Sequence, residues 1–247
     1  MSSMAAQDQS LKIIHVLRAP LGGLFRHVLD LTREQVARGH QVGLITDSLT
    51  GGERADKVLR ELAPSLSLGI RRLPMRRNPA PDDLRNLYVI ASRTRKLNPD
   101  VVHGHGSKGG LYARLPGLLS TNKNVVRAYT PHGGSFNYRP GSMLHNIYMK
   151  AEGLLERATD LYLFESAFIQ KCFETYVGET TALKRVVLNG ISDAEFEPAT
   201  PADDAADFVY VGELRSAKGI DTLIDAIAIV RDKSGCRQSA VLGWQRS

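Results

Sequence analysis

The sequence predicts an α/β protein built on a Rossmann-like, doubly wound parallel sheet, and three observations support this fold class. Short apolar runs rich in Val and Ile recur along the chain, and most are continuous, as in strands covered on both faces. Amphipathic helical patterns lie between these runs. Strand and helix alternate, which is the order that produces parallel strands joined by right-handed crossovers. Ligands of such sheets bind at the carboxyl ends of the strands.

The predicted elements follow one another in the order that this fold requires. The first helix ends at Gly39, where a basic last turn precedes the glycine. Another helix begins at Pro81, which is followed by two acidic residues. A third has apolar side chains at three- and four-residue spacing over residues 144–158. Strands are predicted at residues 11–17, 42–46, 100–103, 124–128, 161–164 and 185–188.

The chain is predicted to divide into four segments. Residues 1–10 are polar and are expected to form a disordered tail, whereas residues 11–190 form one Rossmann-like domain. Residues 191–207 are rich in Asp, Ala and Pro and are predicted to be a linker. The strand–helix rhythm restarts at residues 208–247, a partial second Rossmann-like domain, since a complete one needs about 150 residues. We therefore expect that residues 208–247 dock on the first domain, that a partner completes them, or that the chain is cut short.

Composition limits the classes of function. The net charge is +6 and the pI is 9.4, which indicates affinity for anions or solubility alone. The two cysteines, Cys172 and Cys236, exclude a disulfide scaffold and are typical of a reducing cytosol. No apolar run is long enough to span a bilayer, and the first residues do not resemble a signal peptide, so a cytoplasmic location is expected. No nucleic-acid-binding motif is present, and no nucleic acid partner is expected.

Two glycines, Gly22 and Gly23, follow the first predicted strand at the start of a helix. Glycines in this place let backbone N–H groups approach a phosphate closely, and Arg26 and His27 add donors nearby. A simple tight turn explains the pair equally well. The segment does not contain GxGxxG, but Asp47 lies about where a ribose-binding acid would, so an NAD(P)-dependent oxidoreductase stays an alternative.

Two further glycine- and histidine-containing loops follow later strands. The first contains His103, His105 and Ser107, and Ser107 is expected to cap the next helix. Alternating His and Gly raises the question of zinc, but no third ligand lies at a recognisable spacing, so no metal is predicted. The second loop contains His132, whose imidazole is either a hydrogen-bonding group for a bound hydroxyl or a structural histidine in a turn. All these loops are expected at one edge of the sheet.

A fourth glycine-containing loop follows the strand predicted in the last segment. Arg215 and Lys218 lie there just before a helix, where they would face an anion at the helix N-terminus. A solvated basic turn is the alternative. Another basic run, residues 71–77, has apolar residues between its arginines, which is compatible with contact to a membrane surface.

The order and spacing of these motifs resemble glycosyltransferase family 4, whose members are retaining enzymes with the GT-B fold, and the likeness runs over nearly the whole chain. The matching segments are residues 22–27 (GGLFRH), 31–42 (LTREQVARGHQV), 99–105 (PDVVHGH), 130–133 (TPHG), 165–166 (ES), 187–191 (VLNGI) and 210–224 (YVGELRSAKGIDTLI). The resemblance implies transfer of a sugar from a nucleotide-sugar to an acceptor hydroxyl in glycan or exopolysaccharide synthesis. It implies no metal and no cofactor beyond the nucleotide-sugar substrate.

The resemblance also assigns roles to residues. Residues 11–190 would be the acceptor-side domain, and residues 208–247 a truncated start of the nucleotide-sugar-binding domain. His132 would be the catalytic residue that contacts the transferred sugar. Gly22 and Gly23 would approach the donor diphosphate, and Arg215 with Lys218 would neutralise it as it leaves. The loop of His103, His105 and Ser107 would contact the acceptor or the sugar.

The chain also departs from the family pattern. Glu213 stands where the family often has Arg, and the paired glutamates that the family carries far into its second domain have no counterpart. The resemblance therefore implies weak or absent transfer by the chain alone, and a non-catalytic binding module stays an alternative. The implied partners are a nucleotide-sugar and a glycan or lipid-linked acceptor, with peripheral contact to the inner face of the membrane as a further alternative.

Overall fold

The computed structural model describes residues 9–118, 124–203, 205–214, 218–234 and 239–244, and the chain divides into two compact units at Gly190–Ile191. The predicted tail therefore lies largely outside the described residues. The first unit alternates strand and helix. Its elements are β1 (Lys12–Leu17), α1 (Gly22–Ala37), β2 (Gln41–Asp47), α2 (Gly52–Leu62), β3 (Gly69–Leu73), α3 (Asp82–Leu97), β4 (Val101–His105), α4 (Gly106–Leu118), β5 (Val126–Thr130), α5 (Met143–Glu156), β6 (Leu161–Phe164), α6 (Ala167–Tyr176) and β7 (Leu183–Val186).

The first unit is built on one parallel sheet of seven strands in the order β3-β2-β1-β4-β5-β6-β7. The predicted doubly wound Rossmann-like sheet is confirmed. The strand order reverses between β1 and β4, which pair with His15 beside His103. A crevice forms outside the carboxyl ends of the strands at such a reversal, and it is the usual ligand site of this fold. The central strands are almost fully buried because helices cover both faces.

The helices end where the sequence indicates. Gly39 follows the last turn of α1 with a φ of 84°, a left-handed conformation that glycine adopts without steric cost. Asn98 ends α3 in the same region, with a φ of 44°. Pro81 precedes α3, and Asp82 and Asp83 occupy its first turn, where negative charge is favourable.

Strand β3 was not predicted from the sequence. Its segment contains Arg71 and Arg72 between apolar residues, and this pattern was interpreted as part of a basic surface run instead. In the structure β3 is the edge strand beside β2. Arg72 is partly buried and bonds to the carboxylate of Asp56 and the carbonyl oxygen of Thr50, so the run does not form one continuous basic face.

Helix α4 packs closely against the sheet through glycines. A Cβ atom at Gly109 would overlap the carbonyl oxygen of Val16 on β1, and one at Gly110 would overlap the ring of Tyr129 on β5. Since α4 begins directly after β4, this close packing fixes the carboxyl end of β4 against β1.

A buried polar cluster joins α4 to α5 and β5. Arg114 is fully buried, donates to the carboxylate of Glu152 at 2.8 Å and stacks on the ring of Tyr129 at 3.6 Å from the centroid. Glu152 also accepts hydrogen bonds from the Tyr129 hydroxyl at 3.0 Å and from Ser135 Oγ at 3.2 Å. Every partner lies in the interior, so the cluster ties these elements together in one arrangement.

The second unit consists of residues 191–247. It contains β8 (Phe208–Glu213), α7 (Ile220–Ser234) and β9 (Ser239–Trp244), and the two strands pair in parallel. Within residues 191–207 there is a short 3-10 helix, Asp193–Phe196, with a capping box between Ser192 and Glu195. Among the described residues, no helix is long and apolar enough to cross a membrane.

Candidate functional site

Five of the seven histidines of the chain lie together at the strand-order reversal. They come from separate elements: one from β1, one from α1, two from β4 and one from the loop after β5. The ring centroids of neighbouring pairs are 3.9 to 6.2 Å apart. We call this group, His15, His27, His103, His105 and His132, the histidine cluster.

Hydrogen bonds connect three of these rings in a row. His15 Nε2 lies 2.8 Å from Gln35 Oε1, and His15 Nδ1 lies 3.0 Å from His105 Nε2. The other nitrogen of His105, Nδ1, lies 3.1 Å from His132 Nε2. His103 stands beside this row and bonds through Nε2 to Thr130 Oγ1 at 2.9 Å.

Burial keeps the cluster neutral. Desolvation lowers the pKa of His15 to about 4 and that of His132 to about 3, and it lowers the pKa of His103 and His105 well below the usual value. The pKa of His27 is also lowered by burial. At neutral pH the rings therefore act as uncharged donors and acceptors.

The loop that carries His132 has an unusual backbone. His132 has a φ of 52°, a left-handed conformation that is uncommon for a residue with a side chain. Gly133 and Gly134 follow with φ values of 72° and 31°, and the Glu165 carboxylate accepts a hydrogen bond from the Gly133 N–H at 2.5 Å. A non-glycine residue held in this way is a frequent feature of binding and catalytic sites.

Two helix N-termini lie beside the cluster. Helix α1 begins at Gly22 without a side-chain cap, and Gly22 and Gly23 are both exposed with open space where a Cβ atom would stand. His27 lies one turn further along this helix and contacts the ring of His132 edge-on at 5.2 Å. The first backbone N–H groups of α1 are thus accessible to an anion.

The other N-terminus belongs to α4. The helix begins at Gly106, so Ser107 lies inside its first turn and does not cap it, in contrast to the sequence prediction. The reason is that β4 continues to His105, which leaves no residues for a capping loop. Ser107 Oγ packs against Gly134, and Gly106 packs near Leu24 of α1. Ser107 is therefore adjacent to the loop of His132.

A cleft of about 370 Å³ lies at the neighbouring strand ends, lined by Arg18, Asp47, Leu49, Thr50, Met75, Arg76, Arg77 and Asn78. Asp47 is buried and accepts hydrogen bonds from the backbone N–H groups of Leu49 and Met75 and from the Thr50 hydroxyl. Its carboxylate therefore holds the loops of the cleft, which accounts for Asp47 without a ribose ligand. The arginines give the cleft a cationic lining.

Two sets of three imidazoles have nitrogen atoms close enough to hold a metal ion. These are His15, His103 and His105, and separately His27, His105 and His132, with the candidate ligand atoms of each set within 4.8 Å of one another. The sequence argument against zinc relied on the absence of a third ligand at a recognisable spacing. That argument fails in the folded chain, because β1, α1 and the loop after β5 supply the third imidazole.

The predicted site residues are only partly brought together. His103, His105, Ser107 and His132 share one region, and His27 links them to the helix that begins at Gly22. Lys218 is exposed in the second unit before α7, and Arg215 lies outside the described residues. Sequence reasoning missed His15 and Gln35. A histidine inside an otherwise apolar strand was the available signal for His15.

The architecture of the chain defines a fold class, the GT-B fold. Over 95% of its length the chain is similar in structure to sucrose-phosphate synthase from Thermosynechococcus elongatus, with a TM-score of 0.66, 18% identity and 62% of that chain covered. It is also similar to a glycosyltransferase from Rickettsia africae, with a TM-score of 0.64, 14% identity and 68% of that chain covered. These likenesses confirm the Rossmann-like GT-B fold.

The family follows from the sequence match. The model of Glycosyltransferase Family 4 matches residues 21–195, more than half of the chain, and the chain belongs to this family. It is 28% identical to EpsD of Bacillus subtilis over 181 residues, 65% of this chain and 46% of EpsD. It is 26% identical to glycogen synthase of Mycobacterium tuberculosis over 235 residues, 85% of this chain and 55% of the synthase. The chain spans about half the length of the curated relatives it matches.

Proposed function

We propose that the chain takes part in transferring a sugar from a nucleotide-sugar to a hydroxyl of a glycan or lipid-linked acceptor in polysaccharide synthesis. The observation that carries the proposal is the position of a neutral His132 beside the exposed start of α1, at the strand-order reversal of a family 4 domain. A relative in Klebsiella pneumoniae, 27% identical over 158 residues, 59% of this chain and 44% of that protein, is named for a cps region, which supports the polysaccharide context.

The donor diphosphate is the first group that this site has to bind. Cleavage of the donor's glycosidic bond builds negative charge on the diphosphate and positive charge on the sugar ring. The first N–H groups of α1 at Gly22 and Gly23 are accessible and carry the positive end of the helix dipole, so they stabilise that negative charge. The roles that the resemblance gives to Lys218 and Arg215, neutralising the diphosphate as it leaves, stay predictions.

The transferred sugar is the second group that the site has to bind, and we propose that His132 contacts it. His132 is half-buried and neutral, and its backbone is held by the bond from Gly133 to Glu165. His103 and His105 are buried and bond to protein groups, so their contribution to sugar or acceptor binding passes through His132. Ser107, next to Gly134, is the hydroxyl of this loop nearest to the site.

The acceptor is the third group, and the cationic cleft supports an acceptor with an acidic group, such as the phosphate of a lipid-linked sugar. Arg18, Arg76 and Arg77 line this cleft at the carboxyl ends of β1 to β3. Guanidinium groups bind phosphate and carboxylate through paired hydrogen bonds. The same arginines provide the electrostatic part of a peripheral contact with an anionic membrane.

A thermal-shift experiment with the full chain tests the donor part. UDP-, GDP- and ADP-sugars are compared with NAD(P), and at 100 times its Kd a ligand stabilises the native state by about 2.7 kcal/mol. We expect one nucleotide-sugar to raise the Tm, a smaller rise for His132→Ala, and an unchanged rise for His40→Ala, which lies at the opposite end of α1. A Tm rise with NAD(P) and none with any nucleotide-sugar would contradict the proposal.

Turnover and acceptor binding separate transfer from binding alone. Multiple turnover of a nucleotide-sugar by the full chain in the presence of an acceptor would support transfer. The cleft favours a binding module as the second candidate: saturable acceptor binding without any nucleotide-sugar effect would support it. Co-sedimentation with liposomes tests the membrane contact. If the contact exists, more of the protein should pellet with anionic than with neutral liposomes, and Arg76→Ala/Arg77→Ala should abolish that difference.

A further inference from the structure

The row of hydrogen bonds from Gln35 to His132 has a fixed direction. Its first member is Gln35 Oε1, a carbonyl oxygen, which accepts hydrogen bonds and cannot donate them. His15 must therefore carry its proton on Nε2 to make this bond. A neutral imidazole has only one N–H, so His15 Nδ1 is left as an acceptor.

The same argument then applies to each following ring. His15 Nδ1 accepts, so His105 donates from Nε2 across the 3.0 Å contact and keeps Nδ1 as an acceptor. His132 must then donate from Nε2 to His105 Nδ1 across 3.1 Å. The one amide of Gln35 thus determines which nitrogen of His132 carries the proton, two rings away.

With Gln35 Oε1 facing His15, the surroundings of the row leave one arrangement of the protons at neutral pH. His15 and His105 are 0% and 1% exposed, so water does not replace the partners that these rings have in each other. Burial also lowers the pKa of both, which keeps a second proton off each ring. A single misplaced N–H would set two hydrogens or two lone pairs against each other in the interior, at the cost of an unsatisfied buried group.

The row orients a proton and does not conduct one. A proton entering at His132 Nδ1 could pass from ring to ring only if the far end accepted it. That end is a neutral amide, which has no protonated form at ordinary pH. Transfer along the row therefore stops at Gln35, and the arrangement serves to select a tautomer.

We propose that Gln35, His15 and His105 are positioning residues that hold His132 in its Nε2–H tautomer, so that Nδ1 is presented to the ligand as a hydrogen-bond acceptor. Among the described residues no group bonds to His132 Nδ1, which leaves this nitrogen available. The ligand group that faces it must then be a donor, which is a hydroxyl for a neutral sugar. This last step rests on the proposed function, whereas the tautomer itself does not.

Nitrogen-15 NMR of the histidine-labelled full chain tests the tautomers directly. Long-range ¹H–¹⁵N spectra distinguish Nε2–H from Nδ1–H rings, and His→Gln variants assign the signals. We expect His15, His105 and His132 all to be Nε2–H at pH 7. Finding His132 as Nδ1–H, or with both nitrogens protonated, would overturn the proposal.

Matched glutamine variants test the dependence on Gln35. Gln35→Leu removes the acceptor at the start of the row, and Gln170→Leu removes a glutamine of α6 that bonds only to Glu174. We expect His132 to become a mixture of tautomers in Gln35→Leu and to stay Nε2–H in Gln170→Leu. Gln35→Glu, which restores a carboxylate acceptor, should recover the single tautomer. An unchanged His132 spectrum in folded Gln35→Leu would refute the role of Gln35.

Ligand and metal additions complete the test. A bound nucleotide-sugar should shift the His132 Nδ1 resonance toward that of a hydrogen-bonded acceptor. The deoxy analogue that lacks the facing hydroxyl should not shift it. These two results together would support the assignment of a hydroxyl as the donor to Nδ1. The expected tautomer without any nucleotide-sugar binding would contradict the proposed function and leave the tautomer assignment intact. Stoichiometric Zn²⁺ that binds the ring nitrogens of His105 and His132 would overturn the proposal, since a metal ligand at His105 Nδ1 accepts no hydrogen bond.

Discussion

The buried ion pair of Arg114 and Glu152 offers the sharpest test of how the first unit is held together. Glu152→Ala removes the carboxylate and leaves a guanidinium that is 0% exposed and still donates from Nε to the carbonyl oxygen of Gly110. It also removes the acceptor of the Tyr129 and Ser135 hydroxyls. Breaking such a pair costs about 3–5 kcal/mol because a charge stays buried without compensation.

That loss is large for a domain of this size. Native domains are stable by only about 5–15 kcal/mol, and for 150–250 residues each kcal/mol lowers the Tm by about 2–4 °C. We therefore expect Glu152→Ala to lower the Tm of the first unit by about 6–20 °C in calorimetry, or to prevent folding.

Two control variants make the result interpretable. Glu34→Ala removes an exposed partner of Arg38, and such surface pairs contribute no more than about 1 kcal/mol. Arg114→Met/Glu152→Leu removes both charges and should recover much of the lost stability, since the cost lies in the unpaired charge. A Glu152→Ala variant within about 1 kcal/mol of the parent, or a double variant no better than the single one, would refute this reasoning.

Two further predictions concern stability. Gly109→Ala places a Cβ atom on the carbonyl oxygen of Val16 and should destabilise the first unit by more than about 1 kcal/mol. Gly23→Ala places its Cβ atom in open space and should not destabilise it. Equal urea-unfolding midpoints for the two variants would contradict this prediction. Because His15 and His132 have pKa values of about 4 and 3 in the folded chain and about 6.5 when unfolded, the unfolded chain binds more protons below pH 6.5. The free energy of unfolding should therefore be highest above pH 6.5 and should fall toward pH 4 by up to about 1.4 kcal/mol per pH unit for each histidine. The fall should be smaller in His15→Gln. A free energy of unfolding by urea that does not change with pH would contradict this prediction.

The central strands could be predicted because helices bury them on both faces, which requires continuous apolar sequence. Strand β3 could not, because an edge strand needs apolar side chains on only part of its surface. Arg71 is exposed there, and Arg72 bonds to Asp56 and to the carbonyl oxygen of Thr50. The strand predicted at residues 185–188 lies at Leu183–Val186, two residues earlier. This edge strand is largely exposed, so hydrophobicity does not define its register.

The candidate site was predictable where chemistry and local sequence coincide. His105 stands beside glycines at the end of β4 and His132 beside glycines just after β5, so the sequence pattern indicates both residues. The bond between His15 and His105 spans 90 residues, and it depends on the pairing of β1 with β4 across the strand-order reversal. No spacing along the chain encodes that pairing, and Gln35 is one polar residue among many on α1.

The direct passage from β4 into α4 determines how firmly one side of the histidine cluster is held. His105 is the last residue of the strand and Gly106 the first of the helix, so no loop residue separates the two elements. The segment after β5 has consecutive left-handed residues from His132 to Gly134, and the bond from the Gly133 N–H to Glu165 holds it. In the proposed function, both backbone segments that border the histidine cluster are therefore already in place before a sugar binds.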